Sequence, residues 1–130
     1  MFPVPKLDKR LQKKDEVLVI KTPTETDKII AIHSKFLQRK TIYHDSINQT
    51  PFVIFTDKKG GHRAYYNQNI KFKKFNFTTN EAVDISGRLW ELQENFLKLK
   101  NTEKTLKRLH SYNAFWFGLQ SQYPNVRLIK

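Results

Sequence analysis

The chain has 130 residues, a formal net charge of +12 at pH 7 and no cysteine. This length fits one domain, and the lack of cysteine excludes disulfides, thiolate nucleophiles, iron–sulfur clusters and cysteine zinc sites from it. Ten Phe, five Tyr and two Trp supply enough aromatic surface for a packed core, which excludes a wholly disordered chain.

The chain begins with a segment that has no helix or strand pattern. Residues 1–14 are rich in Pro and Lys and predict an extended arm, because proline fixes φ and disfavours a helix. We place a single domain at residues 15–130. The arm lacks the apolar core of a signal peptide, and no stretch approaches the roughly 20 apolar residues of a membrane span.

The first half of the domain predicts antiparallel strands joined by polar turns. Glu16–Thr22 and Lys28–His33 are short β-branched runs that predict the two strands of a hairpin. Ser34–Lys40 shows no clear preference, and Thr41–Tyr43 is short and extended. Beyond them we predict a loop, a buried strand, a turn, its partner strand and one further strand, at His44–Thr50, Phe52–Thr56, Asp57–Gly61, His62–Tyr66 and Lys71–Phe77.

One region of the second half is open to two interpretations. The apolar residues of Arg88–Leu109 fit one face of a helix, but they also fit three short strands. The local pattern slightly favours the helix. Inside this region, the indole N–H of Trp90 needs a polar partner if the ring is buried.

The C-terminal region predicts a helix that packs on a sheet. The aromatic residues of Ser111–Tyr123 recur at helical spacing, Ser111 can cap the helix and Pro124 ends it. Within it, Phe115-Trp116-Phe117 predicts core packing, and Val126–Ile129 predicts a last strand. The fold class that follows is α+β, mostly antiparallel strands with a C-terminal aromatic helix packed on the sheet.

Several short motifs follow one another along the chain. They include Phe2-Pro3-Val4, His44-Asp45-Ser46-Ile47-Asn48-Gln49-Thr50-Pro51, Gly60-Gly61-His62-Arg63, Asp84-Ile85-Ser86-Gly87-Arg88-Leu89-Trp90 and Ala114-Phe115-Trp116-Phe117-Gly118. Together they resemble the C-terminal half of a bacterial family known as domain-of-unknown-function family 3179. The resemblance implies short strands and turns across Arg88–Leu109, and a location in the cell envelope or outside the cell.

The chain departs from the family pattern in three places. Ile32-His33 stands where the family has Tyr-Pro, and Asn48 and Gln49 replace glycines. A Cys-Pro-x-Cys element, which belongs to the other half of the family's proteins, is absent here. This chain therefore cannot carry out any chemistry that depends on those cysteines.

Three residues are candidates for catalysis. A histidine beside an acid, as in His44-Asp45, can serve as a general base or a metal ligand, and His62 is a further candidate. Neighbouring residues of a strand point to opposite faces, however, so an enzyme built on these residues requires a fold that brings them to one pocket. The four histidines lack metal-ligand spacing, so we predict no metal and no cofactor.

A second set of residues indicates nucleic-acid binding. Single-strand binders combine stacking rings with cationic side chains, and two segments carry such residues. The candidates are Lys71, Phe72, Lys73, Lys74, Phe75, Lys98 and Lys100. A half-buried strand with lysines on its outer face would produce the same pattern, because lysine is a common protector of edge strands.

The residues support three hypotheses of function. The first is a non-catalytic accessory or binding domain whose partner is a protein, for example a missing N-terminal half. The second is a nucleic-acid-binding module, motivated by the charge of +12. The third is an enzyme with a His/Asp site. We favour the first, because the spacing of the acids, hydroxyls and histidines selects no catalytic arrangement.

Overall fold

The computed structural model describes residues 11–12, 14–21, 29–124 and 126–130. Most of the predicted arm, residues 1–14, lies outside the described residues. Two short helices are described, α1 (Ser34–Arg39) and α2 (Trp116–Gln122). The strands are β1 (Glu16–Lys21), β2 (Ile29–His33), β3 (Ile42–Ile47), β4 (Thr50–Thr56), β5 (His62–Tyr66), β6 (Phe72–Asn76), β7 (Glu81–Asp84), β8 (Leu89–Leu92), β9 (Phe96–Leu99), β10 (Thr105–Lys107), β11 (Ser111–Phe115) and β12 (Arg127–Ile129).

The described strands form three sheets. A four-stranded sheet has the order β11-β1-β2-β12, a three-stranded sheet has the order β3-β4-β5, and a five-stranded sheet has the order β10-β9-β8-β7-β6. Every pairing is antiparallel except that of β12 with β2. The predicted α+β class, with mostly antiparallel strands and a C-terminal aromatic helix, is confirmed.

The sheets stack in layers, because alternate residues of a strand point to opposite faces. The core between α2 and the four-stranded sheet includes Val17, Val19, Trp116 and Leu119. The core between the four-stranded and three-stranded sheets includes Leu18, Ile20, Phe52 and Ile54. The core between the three-stranded and five-stranded sheets includes Val53, Phe55, Phe72 and Trp90. Within the described part of the chain, the three-stranded sheet is thus covered on both faces, and the five-stranded sheet is covered on one.

The three-stranded and five-stranded sheets also meet at both of their edges. On one side, Tyr65 and Arg108 form a β-bridge, and the Leu109 N–H donates to the Ala64 carbonyl at 2.8 Å. On the other side, the Phe72 N–H donates to His44 Nε2 at 3.0 Å, and the two rings stack. The imidazole of His44 therefore satisfies a backbone donor on an edge strand.

The predicted loop at His44–Thr50 is wrong. Strand β3 runs to Ile47, and only Asn48 and Gln49 form the turn, with φ values of 49° and 66°. These two residues fill the left-handed positions of a tight hairpin turn, where Gly and Asn are usual. The polar residues that indicated a loop belong to a paired strand.

The predicted helix at Ser111–Tyr123 is wrong over its first five residues. Ser111–Phe115 is strand β11, paired with β1, and α2 begins at Trp116. Pairing with β1 satisfies backbone groups that a helix would otherwise satisfy internally, so the tertiary contact overrides the aromatic spacing. Core packing is confirmed for Trp116 but wrong for Phe115 and Phe117, whose side chains are 59% and 42% exposed.

Other predictions from the sequence are confirmed. Glu16–Lys21 and Ile29–His33 pair as the expected hairpin. Arg88–Leu109 contains β8, β9 and β10, as the family resemblance implies, and the local preference for a helix there is wrong. Residues 93–95 and 100–104 separate the three strands, and Asn101 in the second of these turns has a positive φ of 63°.

We expect acidification to destabilise the domain through His44. Burial and the nearby Lys71 and Lys40 lower the pKa of His44, so the folded state keeps it neutral. The unfolded chain binds a proton near the ordinary pKa of 6.5, so stability falls as the pH drops below that value and through the folded-state pKa. Urea denaturation at pH 7.5 and pH 5 should show a smaller pH-dependent loss for His44→Gln than for the wild type. The exposed-site variant Gln68→Ala should retain the wild-type loss, and equal losses in all three proteins would contradict the role of His44.

Candidate functional site

The outer face of the five-stranded sheet carries a groove of about 580 Å³. Its lining includes Val83 and Leu89, which are half-buried and belong to none of the three cores. The register places Lys74 of β6 beside Val83 of β7, and Val83 beside Leu89 of β8. Three strands therefore supply one continuous floor with a cationic end.

The turn between β6 and β7 forms a wall of this groove. Asn76 Oδ1 accepts the N–H groups of Thr78 and Thr79 at 3.0 and 3.3 Å, and Asn80 has a positive φ of 55°. These contacts fix the turn by the Asx mechanism. The turn presents Phe77, whose side chain is 44% exposed, along the edge of the groove.

The charges on this face are mixed. Lys100 Nζ lies 3.7 Å from Glu81 Oε2, and Lys98 stands opposite Glu91 in the register of β8 and β9. Lys74 is exposed and forms no ion pair within the described part of the chain. Of the charges named here, Lys74 is thus the cation in the groove that a partner can reach.

The rings of the predicted nucleic-acid set are used inside the fold. Phe72 is buried, and its ring contacts those of Phe55 and Trp90. Phe75 packs against the same core, with its ring 5.2 Å from that of Phe55. Lys73 and Lys74 are exposed, and the strand is irregular between Phe72 and Lys74. The set therefore supplies cations at the surface but no open stacking face, and its binding role stays a prediction.

The structure does not bring His44, Asp45 and His62 to one pocket. His44 packs toward the five-stranded sheet, whereas Asp45 points to the opposite face of β3. Asp45 accepts hydrogen bonds from the hydroxyl of Tyr43 at 2.5 Å and from Arg127 Nη2 at 3.0 Å. Burial and the hydrogen bond to Asp45 raise the pKa of the Tyr43 hydroxyl. Asp45 is thus held in structural contacts.

His62 lies in a separate polar cluster. Its Nε2 is 2.9 Å from Ser34 Oγ, and its Nδ1 is 2.9 Å from Thr56 Oγ1. Burial lowers the pKa of His62, against the opposing effects of Asp57 and Glu16. Ser34 and Thr56 were not predicted from the sequence. Thr56 faces His62 across a hairpin whose turn was predicted, so the hairpin register could have revealed that pair. No local signal identified Ser34.

A metal centre finds no support in the described residues. Across residues 11–12, 14–21, 29–124 and 126–130, no group of three or more His, Asp or Glu side chains is arranged to hold a metal ion. Within the same residues, no helix has the length and apolarity needed to cross a membrane.

The sequence did not predict Val83, Leu89 and Phe77 as residues of a binding site. A sheet face that stays uncovered has the same sequence pattern as one that packs.

The fold and the groove define an α+β domain of stacked, mostly antiparallel sheets, in which no described element covers the outer face of the five-stranded sheet. The chain belongs to the family described as protein of unknown function DUF3179, whose model matches residues 1–126, so the resemblance seen in the sequence is confirmed. Correspondence to the C-terminal half of the family's proteins stays a prediction. Searches of curated proteins and of solved structures gave no match.

Proposed function

We propose that this chain is an accessory or binding domain, and that its groove has a non-catalytic role: it holds an extended segment of another polypeptide with apolar and acidic side chains. The observation that carries the proposal is the half-buried pair Val83 and Leu89 on a sheet face that no described element covers. Apolar side chains on an uncovered face with a polar rim are typical of interaction sites. The groove, at about 580 Å³, lies in the usual range of ligand pockets.

A polypeptide suits this surface better than a single-stranded nucleic acid does. Nucleic acids bind such sheets by stacking successive bases on exposed rings. Here Phe72 and Phe75 pack against the core, and among the described residues that line the groove, Phe77 is the one strongly exposed ring. Aliphatic floor residues match aliphatic side chains, which an extended peptide presents on alternate positions.

Charge supports an acidic partner. Lys74 lines the groove and is exposed, and the preceding residue, Lys73, is exposed as well. Neither forms an ion pair within the described residues. The chain as a whole carries +12. Complementary charge at the rim of an interface speeds association and selects the partner, while the apolar floor supplies most of the affinity.

We expect a ten-residue probe peptide that alternates glutamate with leucine or valine to bind the domain. Replacing the floor, in Leu89→Ser, or the rim, in Lys74→Glu, should weaken binding by about tenfold, which corresponds to about 1.4 kcal/mol. The Lys74→Glu variant should also reduce the salt dependence, because it removes a cation from the rim. Fluorescence anisotropy at two salt concentrations measures both effects.

Two matched control variants distinguish binding in the groove from nonspecific electrostatic or hydrophobic binding elsewhere on the surface. Lys104→Glu makes the same charge change in the exposed turn between β9 and β10, and Phe115→Ser removes an exposed apolar side chain from β11. Both should bind the peptide like the wild type. Equal loss in Lys104→Glu and Lys74→Glu, or tighter binding of an oligothymidine probe than of the peptide, would overturn the proposal.

A further inference from the structure

A second cavity lies beside the first turn of α1. The segments of the chain that line it differ from those that line the groove. Its volume is about 300 Å³, and its lining includes Glu16, His33, Ser34 and Gln38. Ser34 is only 7% exposed, and it is the first residue of α1. Ser34 therefore borders this cavity and also contacts His62, because its Oγ lies 2.9 Å from Nε2 of the imidazole.

We propose that Ser34 is a nucleophile activated by His62, and that it accepts the acyl group of a small, uncharged ester held in this cavity. A serine hydroxyl within hydrogen-bond reach of an imidazole that a third group orients is the arrangement that nucleophilic catalysis requires. The proposal goes beyond the binding function and concerns a different surface.

Thr56 is the positioning residue of the cluster. It is buried, and its hydroxyl lies 2.9 Å from His62 Nδ1. When Nδ1 carries the proton and donates to Thr56, Nε2 is left free to accept the hydroxyl proton of Ser34. A threonine cannot supply the negative charge that an aspartate gives a catalytic histidine. The negative charge comes from the carboxylates of Asp57 and Glu16, each of which favours the protonated form of the His62 imidazole.

The charges of the cavity select the class of substrate. Lys14 and Lys35 line it together with Asp15 and Glu16, so its lining carries two cations and two anions. Asp15 also lies 3.9 Å from the imidazole of His33. A balanced lining offers little to a strongly charged acyl group, and the small volume favours a short one.

The reaction balances without a cofactor. Ser34 Oγ attacks the ester carbonyl carbon, and its proton moves to His62 Nε2. The bond from that carbon to the alkoxy oxygen then breaks, and the alcohol leaves with the proton from His62. Water attacks the acyl-serine in the same way: its proton passes through His62 to Ser34 Oγ, and a carboxylic acid leaves.

The test uses two probes on the whole chain. A fluorophosphonate forms an Oγ–P bond at an activated serine as fluoride leaves, and p-nitrophenyl acetate reports acyl transfer by release of nitrophenol. We expect mass spectrometry to locate one phosphonate adduct at Ser34, absent in Ser34→Ala. The variant His62→Gln should slow labelling by about 100-fold or more. Thr56→Val should slow it less, and Ser46→Ala should label like the wild type.

The pH dependence gives a measurement that needs no variant. The labelling rate of the wild type should rise with pH through one group that titrates below 6.5, because burial lowers the pKa of His62 and only its neutral form acts as a base. Absence of an adduct at Ser34, or a rate that is unchanged in folded His62→Gln, would overturn the proposal. The exposed-site variant Lys104→Glu should label normally, and peptide binding to the groove is measured in a separate assay, so the two proposals fail separately.

Discussion

Replacing Asp84 with alanine is expected to lower the free energy of unfolding by about 3–5 kcal/mol, the usual cost of removing one partner of a buried charged network. Asp84 is 1% exposed at the end of β7. Its Oδ2 accepts from Trp90 Nε1 at 2.9 Å and from Arg88 Nε at 2.8 Å, and its Oδ1 accepts from the N–H groups of Ser86 and Arg88. Alanine would leave the buried indole N–H without a partner.

The charge of Asp84 adds a dependence on pH. Burial raises the pKa of this carboxyl, but the hydrogen bonds from Trp90 and Arg88 outweigh it and hold the pKa below its ordinary value of 3.8. The group therefore stabilises the fold above pH 3.8, and that stabilisation is lost as the pH falls through the folded-state value. The Asp84→Asn variant should be destabilised at pH 7 and should show less of this acid loss.

Urea denaturation monitored by Trp fluorescence and circular dichroism measures these effects. Glu103→Gln removes an exposed acid from the turn between β9 and β10, and it should change stability by less than about 0.5 kcal/mol. An Asp84→Ala variant as stable as Glu103→Gln would show that the Asp84 carboxylate does not stabilise the fold.

Replacing Phe55 with alanine is expected to cost about 3–5 kcal/mol as well, because it opens a cavity between two sheets. Phe55 is 1% exposed, and its ring lies within 6.1 Å of the rings of Tyr65, Phe72 and Phe75. These contacts join β4 to β5 and to the edge strand β6. Loss of the ring therefore weakens the packing of the three-stranded sheet on the five-stranded sheet.

Phe115→Ala is the matched control for Phe55→Ala. It removes the same ring from a position that is 59% exposed, so stability should change by less than about 0.5 kcal/mol. Thermal denaturation of both variants against the wild type provides the comparison. If the two substitutions cost the same, the assignment of Phe55 to the core and of Phe115 to the surface would be wrong.

Local patterns were sufficient to predict the β1–β2 and β4–β5 hairpins, but not the β3–β4 hairpin or the contacts between distant segments. Glu16–Lys21 and Ile29–His33 are apolar runs close in the sequence, and such pairing depends on local chemistry. Ser111–Phe115 pairs with a strand nearly one hundred positions away, and nothing local to it reveals that partner. Its ring spacing fits a helix equally well, so the tertiary contact decided its structure.

The candidate sites show the same division. Lys74 and Phe75 were predicted as part of a binding strand, and both line the groove. Val83 and Leu89 were not predicted, because their half-burial depends on which face of the sheet stays open. Ser34 reaches His62 from 28 residues away along the chain. Convergence of that kind depends on the placement of α1, which contacts β1 and β2 of the four-stranded sheet, and no spacing rule encodes that placement.

The binding role of the groove is tested most directly by amide NMR of the isotope-labelled chain, titrated with the alternating glutamate–leucine peptide. We expect the largest shift changes at Lys74–Glu81, Val83 and Leu89, and we expect them to be lost in Leu89→Ser. Saturating changes centred on β11 or α2, or small changes scattered over all exposed lysines, would contradict it.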